Sequence, residues 1–541
     1  MCIVIVKLKF NTMKTKNILR VGVAFWSAVF LASCGGSSVY DMTPSDAQFV
    51  VKVDAKSLLE KTFAEETGDV KVVLNELKNA CDEFESKELT NIVKAVIDDP
   101  RSSGVNFSEP IVISGTADLD DEEFDVYVAL PLADSKKFKE VVEAFYEESK
   151  EIAENSYYCS EPKRFTLDKD IEGYYLGDGV LDEDVCLGLT KNAAVFYLSS
   201  EGLGENLKDG KSALNDLFAQ KNGCEASGIK EFKELDKDFA VWFNGEEFVR
   251  TMMKEYEYAL GSYYKDLSAI SDLYENFYYV LSLNFEKGKT VLECTYGGSK
   301  ELAKIGEKYY ASPSDKYFKY MPKNSFAIAN LGLSSKLFVD TWGELMEQEE
   351  LAPVLESVGS EYGVDENFLK GLPGTITAAV AVSSEEEVPA FAVVAECDKK
   401  VFELLERFVE DLGFEEDGSA YVYEDYSGNE YYLAYVDGAI LFMDSSVWNA
   451  SKGKALKENY KSASTSSVIA KGGMVVDFSV IPEEYLEEIA YEMDMESGDL
   501  LDLVSSIDMT YDKSSVRIVW NANDKKSYIL QKLMGFVADE M

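Results

Sequence analysis

The sequence lacks histidine altogether: none of its 541 residues is one. This absence excludes Ser-His-Asp and Cys-His nucleophilic catalysis, and it excludes every metal site that depends on imidazole ligands. Acid–base chemistry would therefore fall to Asp, Glu, Lys, Tyr or Cys side chains. Spacing alone reveals no nucleophile–base pair among these residue types, so the sequence predicts no catalytic residue, no metal ligand and no cofactor site.

Basic residues are scarce, because 53 Lys and Arg face 99 Asp and Glu, which leaves a formal net charge of −46. Residues 1–33 contain no acidic side chain, so the rest of the chain is more acidic still. Such a field repels nucleic acid and anionic lipid surfaces. With 46% hydrophobic residues the chain has enough apolar material for folded cores. We therefore expect a globular body with a solvated acidic surface and no nucleic-acid partner.

Cysteine is also sparse, and its spacing fits no zinc or redox motif. Six cysteines follow position 34, namely Cys81, Cys159, Cys186, Cys224, Cys294 and Cys397. An even number permits disulfides in an oxidising compartment, whereas free cysteines are usually buried as small apolar side chains. The sequence leaves both interpretations open, with Cys159–Cys186 as one possible bridge.

Apolar runs are short, and the first of them has the pattern of an export signal. A basic stretch from Met13 to Arg20 precedes the apolar run Val21–Ala32, which is too short to span a bilayer comfortably. The run ends in Leu31-Ala32-Ser33-Cys34, which resembles the lipobox of bacterial lipoproteins. We predict a signal peptide over residues 1–33 (with 1–12 as an over-called start), lipidation of Cys34 and a tether over 34–42. The alternative is an ordinary secretory signal with a chance cysteine.

Four sequence patterns recur in the same order in the two halves of the chain. One of these patterns is a pair of apparent strands followed by a helical pattern. In the first half the strands are Ile111–Ala117 and Phe124–Leu130, and the helical pattern is at 136–145. In the second half the strands are Ile376–Val382 and Phe391–Ala395, and the helical pattern is at 399–408. Tight turns between consecutive strands imply antiparallel pairing. The prediction is an α+β fold in two tandem copies of a domain built from antiparallel strand hairpins packed with helices, over 43–312 and 315–541.

Three local patterns suggest chemistry, and each has a simpler explanation. Asp168-x-Asp170-x-Glu172-Gly173 resembles the start of a calcium loop, but the twelfth position is Gly179, where a bidentate Glu is needed. The acidic stretches 118–123 and 385–387 could hold a divalent cation weakly, although charged hairpin turns also discourage edge pairing. Ser451-x-x-Lys454 matches one box of penicillin-binding enzymes, but the companion boxes stand in the wrong order.

Tyrosines crowd one region, namely Tyr256, Tyr258, Tyr263, Tyr264, Tyr274, Tyr278 and Tyr279. Their rings could stack on sugar faces, but such a run is more often the half-buried side of helices.

Three features together resemble an uncharacterised lipoprotein family of Bacteroides-like gut bacteria. They are the lipobox, Pro44-x-Asp46-Ala47 before a Val-rich strand ending at Val53-Asp54, and Leu58-Leu59-Glu60-Lys61. The resemblance implies an exported lipoprotein and carries over no catalytic residue. By similarity to the lipoprotein class, Gly35 in place of aspartate after the cysteine favours the outer membrane, with the body facing the periplasm.

The function we expect is non-enzymatic: a membrane-anchored envelope lipoprotein that binds an unidentified protein or glycan, or has a structural role. Its partner through the lipid on Cys34 would be the membrane. The alternative is a carboxylate-dependent hydrolase, for example one acting on carbohydrate, whose acid pair would be set by spatial rather than sequence separation.

Overall fold

The computed structural model describes residues 39–540 except 64–67, 85, 119–122, 156–158, 178–183, 200–206, 221, 251–273, 299, 348–350, 373, 383–388, 461–471 and 493–496. The strands are β1 Phe49–Val53, β2 Ile111–Asp118, β3 Glu123–Pro131, β4 Lys163–Leu167, β5 Ile171–Tyr175, β6 Cys186–Leu189, β7 Ala193–Ser199, β8 Phe239–Asn244, β9 Tyr278–Glu286, β10 Lys289–Gly297, β11 Ser325–Gly332, β12 Thr375–Ala381, β13 Ala390–Glu396, β14 Glu415–Asp417, β15 Ala420–Glu424, β16 Glu430–Val436, β17 Ala439–Asp444, β18 Gly473–Asp477, β19 Ser506–Tyr511 and β20 Ser515–Asn521.

The α-helices lie mostly in the connections between strand hairpins. They are α1 Ala55–Thr62, α2 Gly68–Ala80, α3 Lys87–Asp98, α4 Ser135–Asn155, α5 Leu207–Ala219, α6 Ile229–Lys233, α7 Lys300–Tyr309, α8 Ser335–Met346, α9 Ala352–Tyr362, α10 Glu366–Lys370, α11 Lys399–Leu405, α12 Ser445–Ser451, α13 Glu483–Glu492, α14 Ser497–Leu503 and α15 Ile529–Glu540.

Polar side chains at helix starts account for several of the helix boundaries. Asp54 accepts a hydrogen bond from the Ser57 backbone N–H at the start of α1, and Ser86 accepts one from the Leu89 N–H at the start of α3. Such caps satisfy backbone donors that have no partner within the helix.

Within the described part of the chain, the twenty strands form a single antiparallel sheet, and this finding overturns the prediction of two tandem domain copies. Strand β10, which the prediction placed in the first copy, pairs with β20, the last strand of the second, with Thr290 opposite Trp520. An edge strand has unpaired backbone N–H and C=O groups that favour further pairing. The backbone N–H and C=O groups along the edges of β10 and β20 pair with each other. The two predicted halves therefore do not form separate sheets, and the chain has a single sheet-rich fold.

The contacts divide the described chain into two compact units. The first unit comprises the residues up to Phe285, Tyr296–Gly298 and the segment from Leu530. Its strands follow the spatial order β9-β8-β1-β2-β3-β7-β6-β5-β4.

Buried residues pack on both faces of these strands. On one face Val50 and Trp242 pack with Leu214 of α5, and on the other Val53 packs with Phe138 of α4.

The second unit comprises Glu286–Thr295 and the described residues from there to Ile529, apart from the three assigned to the first unit. Its strands follow the order β10-β20-β19-β18-β11-β12-β13-β17-β16-β15-β14. Burial along β12 alternates strictly, because successive side chains point to opposite faces. Its main core includes Ala392, Leu441 and Trp448.

Candidate functional site

An open cleft of about 680 Å³ lies in the second unit, between the ends of β12 and β13 and helix α12. Buried Ala381, Val447 and Leu456 are among the residues that line it, and Val480, which is 38% exposed, lies at its surface. Ligand sites usually have volumes of about 300–1,000 Å³, apolar walls and a few polar groups. The cleft meets this description.

One carboxylate fixes the wall that α12 provides. Asp444 ends β17, and its Oδ1 accepts hydrogen bonds from the backbone N–H groups of Ser446 at 2.8 Å and Val447 at 3.3 Å. Its Oδ2 accepts from the Phe391 N–H of β13 at 2.6 Å. Trp448 of α12 also stacks on Tyr432, with the ring centroids 5.4 Å apart. These contacts tie the start of α12 to the ends of β13 and β17, which fixes this wall of the cleft.

The chemical character of the cleft is aliphatic, with charge confined to its margin. Twelve described residues line it, and none of them is aromatic. Lys323 and Glu458 form an ion pair with Nζ and Oε2 3.6 Å apart, and their side chains are 54% and 79% exposed. Glu458 is the single carboxylate among the described residues of that lining. This arrangement can hold a ligand.

Several carboxyl groups of the described residues have a shifted pKa. Among the described residues, every Asp or Glu carboxyl group with a shifted pKa has a pKa below its ordinary range, and these groups are Glu172, Asp340, Asp365, Asp425, Asp437 and Asp512. A glycosidase's general acid needs a raised pKa so that it still holds a proton near neutral pH. None of these six groups lines the cleft.

A second, polar cavity of about 360 Å³ in the same unit is lined by residues that include Lys316, Lys370, Glu396 and Cys397. Its lysines are already engaged: Lys316 Nζ donates to the Asp437 carbonyl at 2.6 Å, and Lys370 pairs with Glu366 at 2.5 Å. Burial raises the pKa of Cys397 to about 11. A thiol that stays protonated near neutral pH is a poor nucleophile, so this cavity is a weaker candidate.

The residues that resemble a calcium loop are used otherwise. Glu172 lies on β5, where its carboxylate pairs with Lys139 Nζ at 2.6 Å and accepts from Tyr174 Oη at 3.2 Å. The bond from Lys139 is the main reason that the pKa of Glu172 is lowered. Lys169 interrupts the loop with a left-handed φ of 62° and donates to the Phe218 carbonyl at 2.8 Å. Gly179 lies outside the described residues.

Ser451 and Lys454 do not form a nucleophile–base pair. Ser451 is buried at the end of α12, and its hydroxyl donates to the Trp448 carbonyl at 3.3 Å. The chain then turns through Lys452 and Gly453, both with left-handed φ, and Lys454 is exposed. The motif is a helix end that bounds the cleft wall.

Several predicted features lie outside the described residues. They are Cys34, most of the acidic stretch 118–123, Glu385–Glu387, and the tyrosines at 256, 258, 263 and 264. Of the remaining tyrosines, Tyr274 and Tyr279 each pack edge-on against Phe277, with centroids 5.1 and 4.5 Å away. All six cysteines after position 38 are free, so Cys159 and Cys186 form no bridge.

Sequence reasoning missed a buried charge network in the first unit. The Asp238 carboxylate accepts from Lys61 Nζ at 2.6 Å, Ser57 Oγ at 2.5 Å and the Phe285 backbone N–H at 2.6 Å. Lys61 Nζ also donates to Asn284 Oδ1 at 3.1 Å. The i, i+4 spacing of Ser57 and Lys61 on a helix with an apolar face was the available signal. Since every donor and acceptor here is engaged, the network is structural.

Comparisons with known proteins give little beyond the family. A search of curated proteins finds no match. The solved structure titled "Structure of crystal form I of TP0453" matches 49% of this chain and 81% of its own at 9% identity, but its TM-score of 0.24 is too low to support any argument. Within the described residues, no helix combines the length and apolarity needed to cross a bilayer. The family model described as "Domain of unknown function (DUF4836)" matches residues 40–426, so the chain belongs to that family.

Proposed function

We propose that the chain is an exported lipoprotein, anchored in a membrane through a lipid on Cys34, whose folded body binds a ligand without transforming it. The order of basic stretch, short apolar run, lipobox and Gly/Ser tether supports the anchor. Stable anchoring requires more than one acyl chain, as is normal for bacterial lipoproteins. Gly35 after the cysteine favours the outer membrane, and the absence of an acidic run directly behind Cys34 favours a body that faces the periplasm.

A single observation supports the binding role: the aliphatic cleft at the ends of β12 and β13, whose described lining residues include no acid–base pair. A preformed apolar cleft with few polar groups is the usual form of a ligand site. Catalysis would instead need one group with a pKa high enough to donate a proton and another with a pKa low enough to accept one. Because its margin has one weak ion pair, the cleft is suited to recognition rather than chemistry.

The anchor is tested by expressing the chain and its Cys34→Ala variant in a bacterium fed labelled fatty acid. The wild-type chain should carry the label and sediment with membranes, whereas the variant should carry none and appear in the soluble fraction. Cys294→Ala, at a half-buried cysteine, is the matched control and should behave as wild type. A Cys34→Ala variant that still sediments with membranes, together with an unlabelled wild type, would rule out the anchor.

A further inference from the structure

The ion pair at the margin of the cleft is available to a ligand. Lys323 Nζ and Glu458 Oε2 are 3.6 Å apart, longer than the roughly 2.7–2.9 Å of a charge-assisted hydrogen bond. Both side chains are more than half exposed, so the pair contributes little to stability and its groups can turn to other partners. A ligand head group with both a positive and a negative charge could therefore engage both side chains.

The lining of the cleft selects an aliphatic body for that ligand. Ala381, Ala390 and Ala450 leave space where larger side chains would fill it, and Val382, Val447 and Leu456 provide branched aliphatic contacts. Sugar rings and nucleobases are usually recognised by stacking on aromatic side chains, and the twelve described lining residues include none. Its chemistry therefore suits a flexible hydrocarbon chain better than a glycan.

We propose that this cleft binds a zwitterionic single-chain amphiphile. The hydrocarbon chain lies along Ala381, Val447 and Leu456, the cationic part of the head group faces Glu458, and the anionic part faces Lys323. The inference rests on the proposed function and gives it a ligand class. Charge complementarity selects the head group: an anionic amphiphile would satisfy Lys323 but meet Glu458 and the acidic surface, while a nonionic one would satisfy neither charge.

The binding test uses the full chain with Cys34→Ala, so that no attached lipid competes for the cleft. Isothermal titration calorimetry is run with dodecylphosphocholine, dodecyl maltoside and dodecanoate, each below its critical micelle concentration. All three share one chain length, so differences in affinity report the head group. Dodecylphosphocholine should bind saturably and about fivefold more tightly than either of the others, the upper end for one exposed ionic contact.

Variants separate the chain site from the head-group site. Ala450→Trp should fill the cleft and abolish binding of dodecylphosphocholine, while Ala303→Trp, at an exposed alanine of α7, should leave it unchanged. Lys323→Glu should remove the preference for the zwitterionic head group. The double variant Lys323→Glu/Glu458→Lys restores both charges in exchanged positions and should recover it. Circular dichroism of each variant establishes that it is folded.

Three results would overturn the inference: no saturable binding, binding that Ala450→Trp leaves intact, or equal affinity for the three head groups. Displacement of dodecylphosphocholine by an extended apolar peptide that binds more tightly would instead identify a protein partner. The anchor is judged separately by fatty-acid labelling and membrane fractionation. If the amphiphiles do not bind, the result of the labelling and fractionation still stands. If Cys34 is not lipidated, the calorimetry can still be interpreted.

Discussion

Replacing Lys61 with methionine should destabilise the first unit, because it would leave the Asp238 carboxylate buried without its cation. The Asp238 side chain is 1% exposed and that of Lys61 17% exposed, and their charged atoms are 2.6 Å apart. Methionine keeps an apolar stem of similar length but has no ammonium group. The change therefore tests the charge rather than the packing of α1.

The size of the effect follows from the cost of an uncompensated buried charge. Removing one member of a buried ion pair typically costs about 3–5 kcal/mol. We expect about 3 kcal/mol here, since part of the Lys61 side chain reaches solvent and Asp238 keeps its bonds from Ser57 Oγ and the Phe285 N–H. Adding Asp238→Asn removes the stranded charge, so the double variant should lose at least about 1 kcal/mol less than the sum of the two single losses.

Urea denaturation measures the change in the free energy of unfolding. Hydrogen exchange of the β8 and β9 amides shows where stability is lost, because Asp238 directly precedes β8 and Phe285 lies on β9. The control is Lys56→Met on the same helix, whose pair with Glu60 spans 3.9 Å between exposed side chains and should contribute less than about 0.5 kcal/mol. Equal small losses for Lys61→Met and Lys56→Met, or strictly additive single variants, would refute the reasoning.

Three further predictions follow from the described side chains. Burial raises the pKa of Cys81 and Cys397 to about 11 and that of Cys186 to about 12, so a thiol reagent near neutral pH should modify these cysteines only after unfolding; rapid modification of the native chain would contradict this. A hydrogen bond from the Asn429 side chain is the largest cause that lowers the pKa of Asp425 to about 2, below its unfolded value of about 3.9, and hydrogen bonds from backbone N–H groups add to it. Its stabilisation is therefore present above about pH 4 and lost as pH falls toward 2, so the difference in melting temperature between wild type and Asp425→Ala should narrow over that interval; a pH-independent difference would count against it. Because Lys139 and Tyr174 engage Glu172, EDTA or added calcium should leave the melting temperature unchanged, and a rise of several degrees with calcium would reopen the loop at Asp168 as a metal site.

Local structure was largely predictable from residue patterns. The predicted strand pair Ile111–Ala117 and Phe124–Leu130 is the observed β2–β3 hairpin, with Val112 opposite Ala129. The helical pattern at 136–145 is part of α4, which begins at Ser135 and extends to Asn155. These patterns succeed because each element buries one face, and that requirement is written into neighbouring residues.

Long-range pairing was not predictable from the same patterns. Strands β10 and β20 pair with each other, but nothing near either strand in sequence specifies this partner. The Lys61–Asp238 contact, between residues 177 positions apart, is equally invisible to a local pattern. The cleft also depends on distant segments, because its lining runs from Pro322 to Val480. Such contacts are selected by the folded topology and not by local propensity.

The charge of the chain bears on which amphiphile could reach the cleft in an anchored protein. The full chain has a formal net charge of −46 and the part after residue 33 is more acidic still, so the body is repelled by an anionic membrane surface and depletes anionic amphiphiles around itself. A zwitterionic head group has no net charge and approaches without this penalty. Its local charges then distinguish Lys323 from Glu458 only at contact, since salt at physiological strength screens exposed charges over about 8 Å. Raising the salt concentration should therefore weaken the preference for the zwitterionic head group while leaving the burial of the hydrocarbon chain intact. This result is expected if the ion pair at the margin recognises the head group and the aliphatic lining binds the hydrocarbon chain.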